Sequence, residues 1–562
     1  MRGLRTRLRF LAVVLILAGI VAAIVSPQAA ANVLQLPIFA VFSTTRMVIA
    51  YVLSLVFAIA YGYTAATNRR AAVVMLPVLD VLQSIPILAF FPAATIFFGA
   101  TQGNAFGSEI AVVFLIFTSM AWNIAFGVYE SLTTIPQDLE AAAAAFGLRG
   151  WLRFRLLAFP ATIPKLVYNS ILSWTNGWFF LVASEIFQAG DKTLVRPGLG
   201  AFIAIAGQNG DLPAILAGIA ALAAVVLALD IFLWRPLEAW SERFRMETVS
   251  GREIPRVPSP YERFRWLPRF PTVRRTLITR LRPAVAVYHR VSARVDHAYR
   301  AHAKIIRFLR IIDLAMFLVI FVIVVASGMV GLVQLFLRPL PPRAALLPAA
   351  ALDSFIRLLV AYGVALGWTI PMAIVLGENE RISRYLTPVF EVVASLPATA
   401  LLPLIVGISV LVASAFGAEA QLAAVLIALY SMQWYLFFNL VAGVRSIPDD
   451  LREAARSFGL RRWVYWKRVV LPAMTPSLVT GSITAWGAGW NALIVSEYIR
   501  YAHRIYEVQG LGSLLNEATF PVQDSEMLLL TILTMVVIVL AMNKILWRPL
   551  FNRAAKRYRL EV

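Results

Sequence analysis

The 562 residues are 60% hydrophobic and 14% charged, with mean hydropathy +0.76, far more apolar surface than one soluble core uses, so the chain belongs in a bilayer. The net charge of +21 could suit nucleic acid, but 18 Lys/Arg against 6 Asp/Glu lie in one polar stretch, Arg235–Arg310, between hydrophobic blocks; this is a positive-inside bias, with no nucleic-acid partner expected. Without cysteine, disulfides, thiolate metal sites and cysteine nucleophiles are excluded, and His289, His297, His302 and His503 show no metal-ligand spacing.

In chain order, the basic Met1–Arg9 and apolar Phe10–Ser26 have the form of a signal peptide with an alanine-rich cleavage region near Ala29–Ala31. We read Phe10–Ser26 instead as an uncleaved first span, because a longer equivalent lies at Leu314–Phe336. Further spans are expected at Ile38–Ala60, Val73–Phe98, Ala111–Tyr129, Pro164–Ile186 and Leu212–Trp234. A helix needs about 20 residues to cross, and each is long enough. The later equivalents are Phe355–Leu376, Thr387–Ile408, Leu422–Val444, Pro476–Tyr498 and Met527–Leu546.

The two sets of six are copies. From Ile135 to Gly200, a constant shift of 312 residues matches 27 of 66 positions without a gap. Upstream, Arg46, Ser84, Pro86 and Pro92 find Arg357, Ser395, Pro397 and Pro403 at a shift of 311. Self-similarity on this scale sets the architecture. The expected fold is all-α and polytopic, with two tandem parallel repeats of about six transmembrane helices, 1–249 and 312–562, joined by a basic linker, 250–311. The linker is expected to be a cytoplasmic tether whose charge suits anionic headgroups. Basic residues at Arg69–Arg70, Arg149–Arg155, Arg235, Arg461–Arg468 and Arg548 fall on the N-terminal side, so both termini should be cytoplasmic.

The most similar stretches are the loops 135–164 and 447–476. In each, Asp138 or Asp450 can cap a helix, small alanines permit close approach, and Gly147 or Gly459 can end the helix in left-handed geometry. The second reads Glu453-Ala454-Ala455, Gly459, then Leu471-Pro472. The first reads Ala142-Ala143, Gly147, then Phe159-Pro160, with Ala141 at the position of Glu453 and Glu140 displaced by one. This pattern resembles the cytoplasmic loop of permease subunits of binding-protein-dependent ABC importers, and SIPILAFFP at Ser84–Pro92, WTNGWFFLVASE at Trp174–Glu185 and the Gly198-Leu199-Gly200 triplet resemble the nitrate/sulfonate/taurine subgroup.

The resemblance implies a type I importer permease in the bacterial inner membrane. Its implied partners are two ATP-binding cassette subunits and an extracytoplasmic binding protein. ATP and Mg are then bound by those subunits and no cofactor by this chain. A phosphate-cradling loop would need a Gly-Lys pair, which never occurs here. The implied substrate is a small anion of the nitrate, sulfonate or bicarbonate class. A metal or amino-acid importer, or an ATP-independent secondary transporter, are the alternatives, and no catalytic or metal residue is expected. Coupling to the ATPase is expected at Glu140, Ala142, Ala143, Gly147, Glu453, Ala454, Ala455 and Gly459.

Polar residues within spans are costly in hydrocarbon and mark pathways. The expected pathway and gate residues are Arg46, Asn176, Ser184 and Glu185 in the first half, with Arg357, Asn491, Ser496 and Glu497 in the second. Matched depth and opposite charge pair Arg46 with Glu185 and Arg357 with Glu497; the alternative is that each arginine snorkels to the outer interface. If the pairs form, reversing both charges of one should restore what either single change loses.

Overall fold

The computed structural model describes residues 34–244 and 339–557, apart from breaks at 85, 91–93, 96, 99–104, 149, 186–187, 190–191, 194–195, 461 and 520–523. The expected spans Phe10–Ser26 and Leu314–Phe336 and the linker 250–311 lie outside the described residues. Within them the chain is nearly all helix, and eight helices are long and apolar enough to cross a membrane.

The first half comprises α1 (Leu36–Thr67), α2 (Arg69–Ser84), a 3-10 turn (Ile87–Phe90), α3 (Ala105–Thr133), α4 (Gln137–Ala145), α5 (Gly150–Arg153) and α6 (Phe159–Glu185). A short hairpin, β1 (Gln188–Ala189) and β2 (Lys192–Thr193), leads to α7 (Leu199–Gln208), α8 (Leu212–Leu229) and α9 (Arg235–Ser241). The second half repeats it as α10 (Leu347–Glu378), α11 (Glu380–Ala394), α12 (Ala398–Ala413), α13 (Glu419–Arg445), α14 (Asp449–Ser457), α15 (Arg462–Tyr465) and α16 (Leu471–Ser496). It ends with β3 (Tyr498–Tyr501), β4 (Arg504–Glu507), α17 (Leu511–Thr519), α18 (Ser525–Met542) and α19 (Arg548–Arg557).

Matched punctuation sets these boundaries. Asn68 and Asn379 accept backbone N–H bonds at the starts of α2 and α11, and Asp211 and Asp524 do so at α8 and α18. Five-residue π turns occur at Phe154–Ala158, Asp230–Trp234, Trp466–Val470 and Asn543–Trp547. Each lies two residues before a proline, Pro160, Pro236, Pro472 or Pro549. Proline lacks an N–H and its ring crowds the carbonyl four residues back, and a widened turn absorbs that conflict without ending the helix. The span expected to begin at Pro164 therefore runs unbroken from the preceding loop.

The third span departs from expectation. Val73–Phe98 and Thr387–Ile408 were each expected as one helix, but α11 stops at Ala394 and α12 restarts at Ala398, and α2 stops at Ser84. Pro86 and Pro397 lie in Ser-Ile-Pro and Ser-Leu-Pro, and a proline disfavours helical geometry at the residue before it; Pro397 itself is extended, as the N-cap from which α12 restarts.

The break is where the halves meet. Ala89, in the 3-10 turn, is fully buried in the core of the second half among Ala428, Met432 and Trp490. Its repeat equivalent Ala400, on α12, is fully buried in the core of the first half. Two further contacts obey the same symmetry: the Leu88 N–H donates to Asn491 Oδ1 at 3.4 Å, and Thr399 Oγ1 donates to the Phe179 carbonyl at 3.1 Å. Positions 88 and 399, and 179 and 491, are repeat pairs, so the seam is self-complementary, as in a two-fold dimer.

Candidate functional site

Two networks lie at the bundle end that carries β3 and β4, which we call the hairpin end. In the first half, Arg46 Nη1 donates to Glu185 Oε1 at 2.8 Å and to the Pro197 carbonyl at 2.9 Å. Ser43 Oγ donates to the same Glu185 oxygen at 2.7 Å and accepts from the Leu199 N–H at 2.9 Å, while the Gly200 N–H donates to Oε2 at 2.8 Å. In the second half, Arg357 Nη1 and Ser354 Oγ donate to Glu497 Oε1 at 2.7 and 2.6 Å, and the Gly512 N–H donates to Oε2 at 2.6 Å. Arg357 Nη2 reaches the Gln509 carbonyl at 2.6 Å, and the Leu511 N–H donates to Ser354. The expected pairs thus form, and snorkelling is overturned: Arg46 and Arg357 are 6% and 5% exposed, and both glutamates are fully buried.

The glycine triplets are cut to fit these carboxylates. A Cβ added at Gly198 would lie 2.2 Å from Glu185 Oε1, and one at Gly510 the same distance from the Glu497 carboxyl carbon. A carboxylate approached this closely by backbone is the reason for glycine, rather than turn geometry alone.

The networks differ in their outer members. Arg46 Nε and Nη2 also hold both oxygens of Glu109, at 2.7 and 2.8 Å, and Arg196 Nε lies 4.0 Å from Glu109. The repeat equivalents of Glu109 and Arg196 are Gln421 and Val508, and Arg357 Nε donates to Gln421 at 2.6 Å. One negative and one positive charge are replaced together, so each network stays neutral. Ser184 and Ser496, expected among the pathway and gate residues, bond back to the carbonyls of Leu181 and Leu493 in their own helices. Ser43, Ser354 and Glu109 were missed; the two serines are matched at a shift of 311, which was the available signal.

At the opposite, loop end stand α4 and α14. Each begins two residues earlier than expected, after Pro136 or Pro448, with no side-chain cap, so Asp138 and Asp450 sit in the first turn and favour the positive helix end without capping it. Each ends on a left-handed glycine, Gly147 at φ 69° and Gly459 at φ 68°. The Leu148 and Leu460 N–H groups reach back to the carbonyls of Ala143 and Ala455 at 2.9 and 3.0 Å, closing a Schellman turn. Ala143 and Ala455 are buried, Ala142 and Glu453 are exposed, and Ala454 is half-buried. Glu140 is committed within the chain to Arg153, whose guanidinium that hydrogen bond holds above its ordinary value. Phe146 and Phe458, 83% and 82% exposed, stand beside the glycines; the Phe-Gly-Leu shared by both copies was their signal.

Between these ends, α6 and α16 each present an exposed stripe: Tyr168, Leu172 and Thr175 in line with Phe179, and Thr480, Thr484 and Gly487 in line with Asn491. Spacings of three and four residues keep each stripe on one helix face. Phe179 and Asn491 make the cross-seam contacts, so both stripes lie along the seam. Asn176 is half-buried, one residue off the stripe, and Trp178 and Trp490 are core residues. Across the seam at the hairpin end, the β3–β4 turn donates Ala502 and His503 N–H bonds to the Gly207 and Gln208 carbonyls of α7 at 3.0 and 2.8 Å.

Such a duplicated, seam-lined helical bundle is the architecture of a membrane permease whose two units are fused in one chain. The family profile described as "Binding-protein-dependent transport system inner membrane component" matches residues 56–235 and again 369–548. The chain belongs to that family, the permeases of binding-protein-dependent ABC importers, and carries two copies of its unit.

A nitrate import permease protein, NrtB, of Leptolyngbya laminosa is 30% identical over 143 residues, 25% of this chain. The chain spans about half of that relative, 48% of its length. A bicarbonate transport system permease protein, CmpB, of Synechococcus elongatus is 26% identical over 207 residues, covering 37% of this chain and 68% of that protein. A taurine transport system permease protein, TauC, of Escherichia coli is 25% identical over 201 residues, covering 35% and 68%.

Proposed function

We propose that the chain forms the translocation passage of an importer for a small anion of the nitrate, bicarbonate or taurine class, and couples it to ATP hydrolysed by two separate subunits. The observation that carries this reading is the pair of exposed loop-end helices, α4 and α14, each with a buried alanine anchor, a left-handed glycine and an outward phenylalanine. A Phe standing in solvent beside a sharp turn suits insertion into a groove of a nucleotide-binding subunit. The names of the relatives support the substrate class. The chain then lies in the bacterial inner membrane with the loop end and both termini cytoplasmic, and a substrate-loaded binding protein meets the hairpin end. ATP binding draws the two loops together, and the seam opens at the hairpin end.

Gly459 gives the test. A Cβ there meets nothing within 4 Å, so Gly459→Trp is limited within this chain only by its positive φ, while its bulk obstructs a partner groove. In the assembled complex, substrate-stimulated ATPase activity should fall at least about tenfold, the loss of one good contact's 1.4 kcal/mol. The chain should lose only the roughly 1–2 kcal/mol that a left-handed non-glycine residue costs, a small drop in melting temperature beside the loss of coupling. Unchanged stimulation would remove the coupling assignment.

A further inference from the structure

We propose that substrate selectivity in the passage resides in the second repeat, on the stripe Thr480, Thr484 and Asn491 of α16, and that this stripe takes a small oxyanion. The inference rests on the importer reading and goes beyond it in naming the wall and its chemistry.

The two stripes occupy equivalent positions and differ in kind. Tyr168, Leu172, Thr175 and Phe179 on α6 correspond to Thr480, Thr484, Gly487 and Asn491 on α16. Three bulky side chains on one wall answer to two hydroxyls and an amide on the other, and the fourth pair sets Gly487 against Thr175. The room therefore lies along α16, where the polar groups are on short side chains, whereas α6 carries its hydroxyls on Tyr168 and Thr175 beside Leu172 and Phe179.

The hydrogen bonds say which ligand fits. Asn491 Oδ1 is taken by the Leu88 N–H, and one Nδ2 hydrogen goes to the Gly487 carbonyl at 3.0 Å. The amide keeps one Nδ2 hydrogen to donate to a ligand, beside the second lone pair of an Oδ1 already turned to the Leu88 N–H. Thr480 and Thr484 rest on the carbonyls four residues back, Pro476 and Thr480, at 3.0 and 3.1 Å. A hydroxyl hydrogen rotates freely, so either can turn from its helix carbonyl to a ligand oxygen. No carboxylate stands on the stripe to offset the desolvation of a cation. No guanidinium or ammonium stands there either, so an anion is held by neutral donors and released again, as a conducting site requires.

The absence of cysteine makes the wild-type chain a ready background. In the full complex in proteoliposomes, Thr480→Cys and Thr484→Cys should react with a charged, membrane-impermeant thiol reagent added from the loop side. Val360→Cys, on an exposed apolar face of α10, should not. Nitrate, bicarbonate and taurine are added separately, and the transported one should slow labelling about tenfold. The double variant Thr480→Val/Thr484→Val keeps the shape and should lower uptake about tenfold, the loss of one to two hydrogen bonds. Unreactive cysteines, labelling that none of the three ions slows, or a valine variant that imports normally would each overturn the assignment. Failure of the importer reading appears elsewhere, as wild-type ATPase activity that none of the ions stimulates.

Discussion

Glu185 and Glu497 have both carboxylate oxygens committed, to a serine, an arginine and a backbone N–H each. Breaking a buried pair by removing one partner costs about 3–5 kcal/mol, because the other charge is stranded. This changes the expectation for charge reversal. An arginine at 185 would face the Gly200 N–H and Ser43, and a glutamate at 46 would face Glu109, so R46E/E185R should not recover the stability of wild type in a detergent melt. Recovery would mean that the accessory bonds are weak. Gly198→Ala should cost about 1–3 kcal/mol by overpacking against Glu185, and an unchanged melt would show that the carboxylate has room to retreat. In the outer shell, E109Q leaves Arg196 without its carboxylate and R196V leaves the network with one excess negative charge while Arg46 still holds Glu109, whereas E109Q/R196V copies the second half. A double-mutant cycle should give a coupling of about 1 kcal/mol or more, and additivity would sink the pairing. The arginine–glutamate pairs were legible because the same charges recur at the same depth in both repeats. Glu109 and Arg196 were not, because a search for identical positions hides a compensated exchange.

At the scale of elements, helix existence and order followed from hydropathy and the repeat, whereas the broken third span did not. Hydropathy runs smoothly through Pro86 and Pro397, and only the restriction those prolines place on the preceding residue reveals the break. Helix crossings were also hidden. The cross of α3 with α6 places Gly127 so that an added Cβ would lie 1.9 Å from Asn169 Nδ2. In the cross of α13 with α16 the pair is exchanged, with Asn439 facing Gly481, whose Cβ would lie 3.0 Å from that of Asn439. Gly127→Asn alone should therefore destabilise the first half by about 1–3 kcal/mol. Adding Asn169→Gly should return most of it, as read by thermal unfolding; a double variant no better than the single would refute the exchange.

For the molecule as a whole, the reciprocal burial of Ala89 and Ala400 ties the two cores together, and the β3–β4 hairpin adds a second tie at the hairpin end. Its turn residues Ala502 and His503 have φ of 48° and 59°, as a two-residue hairpin loop requires, and they hold α7 through backbone groups. A Cβ at Gly210 would sit 3.3 Å from that of Ala502, close to the 3.5–4.5 Å of a disulfide. Gly210→Cys/Ala502→Cys, oxidised in proteoliposomes, should stop uptake by pinning the hairpin end shut, and reduction should restore it. Uptake indifferent to oxidation would show that this edge does not part during the cycle. The Gly127–Asn169 and Asn439–Gly481 exchange has a consequence beyond packing. Duplicated stretches within one gene can overwrite each other by recombination, which keeps copies alike. Here a tract copied from the second repeat that carries Asn to position 127 without Gly to 169 sets two amides into one space, and the reverse transfer leaves two glycines around a void. Each such hybrid carries the cost of that clash or void, so the crossing disfavours piecewise exchange between the two repeats unless both partners move together.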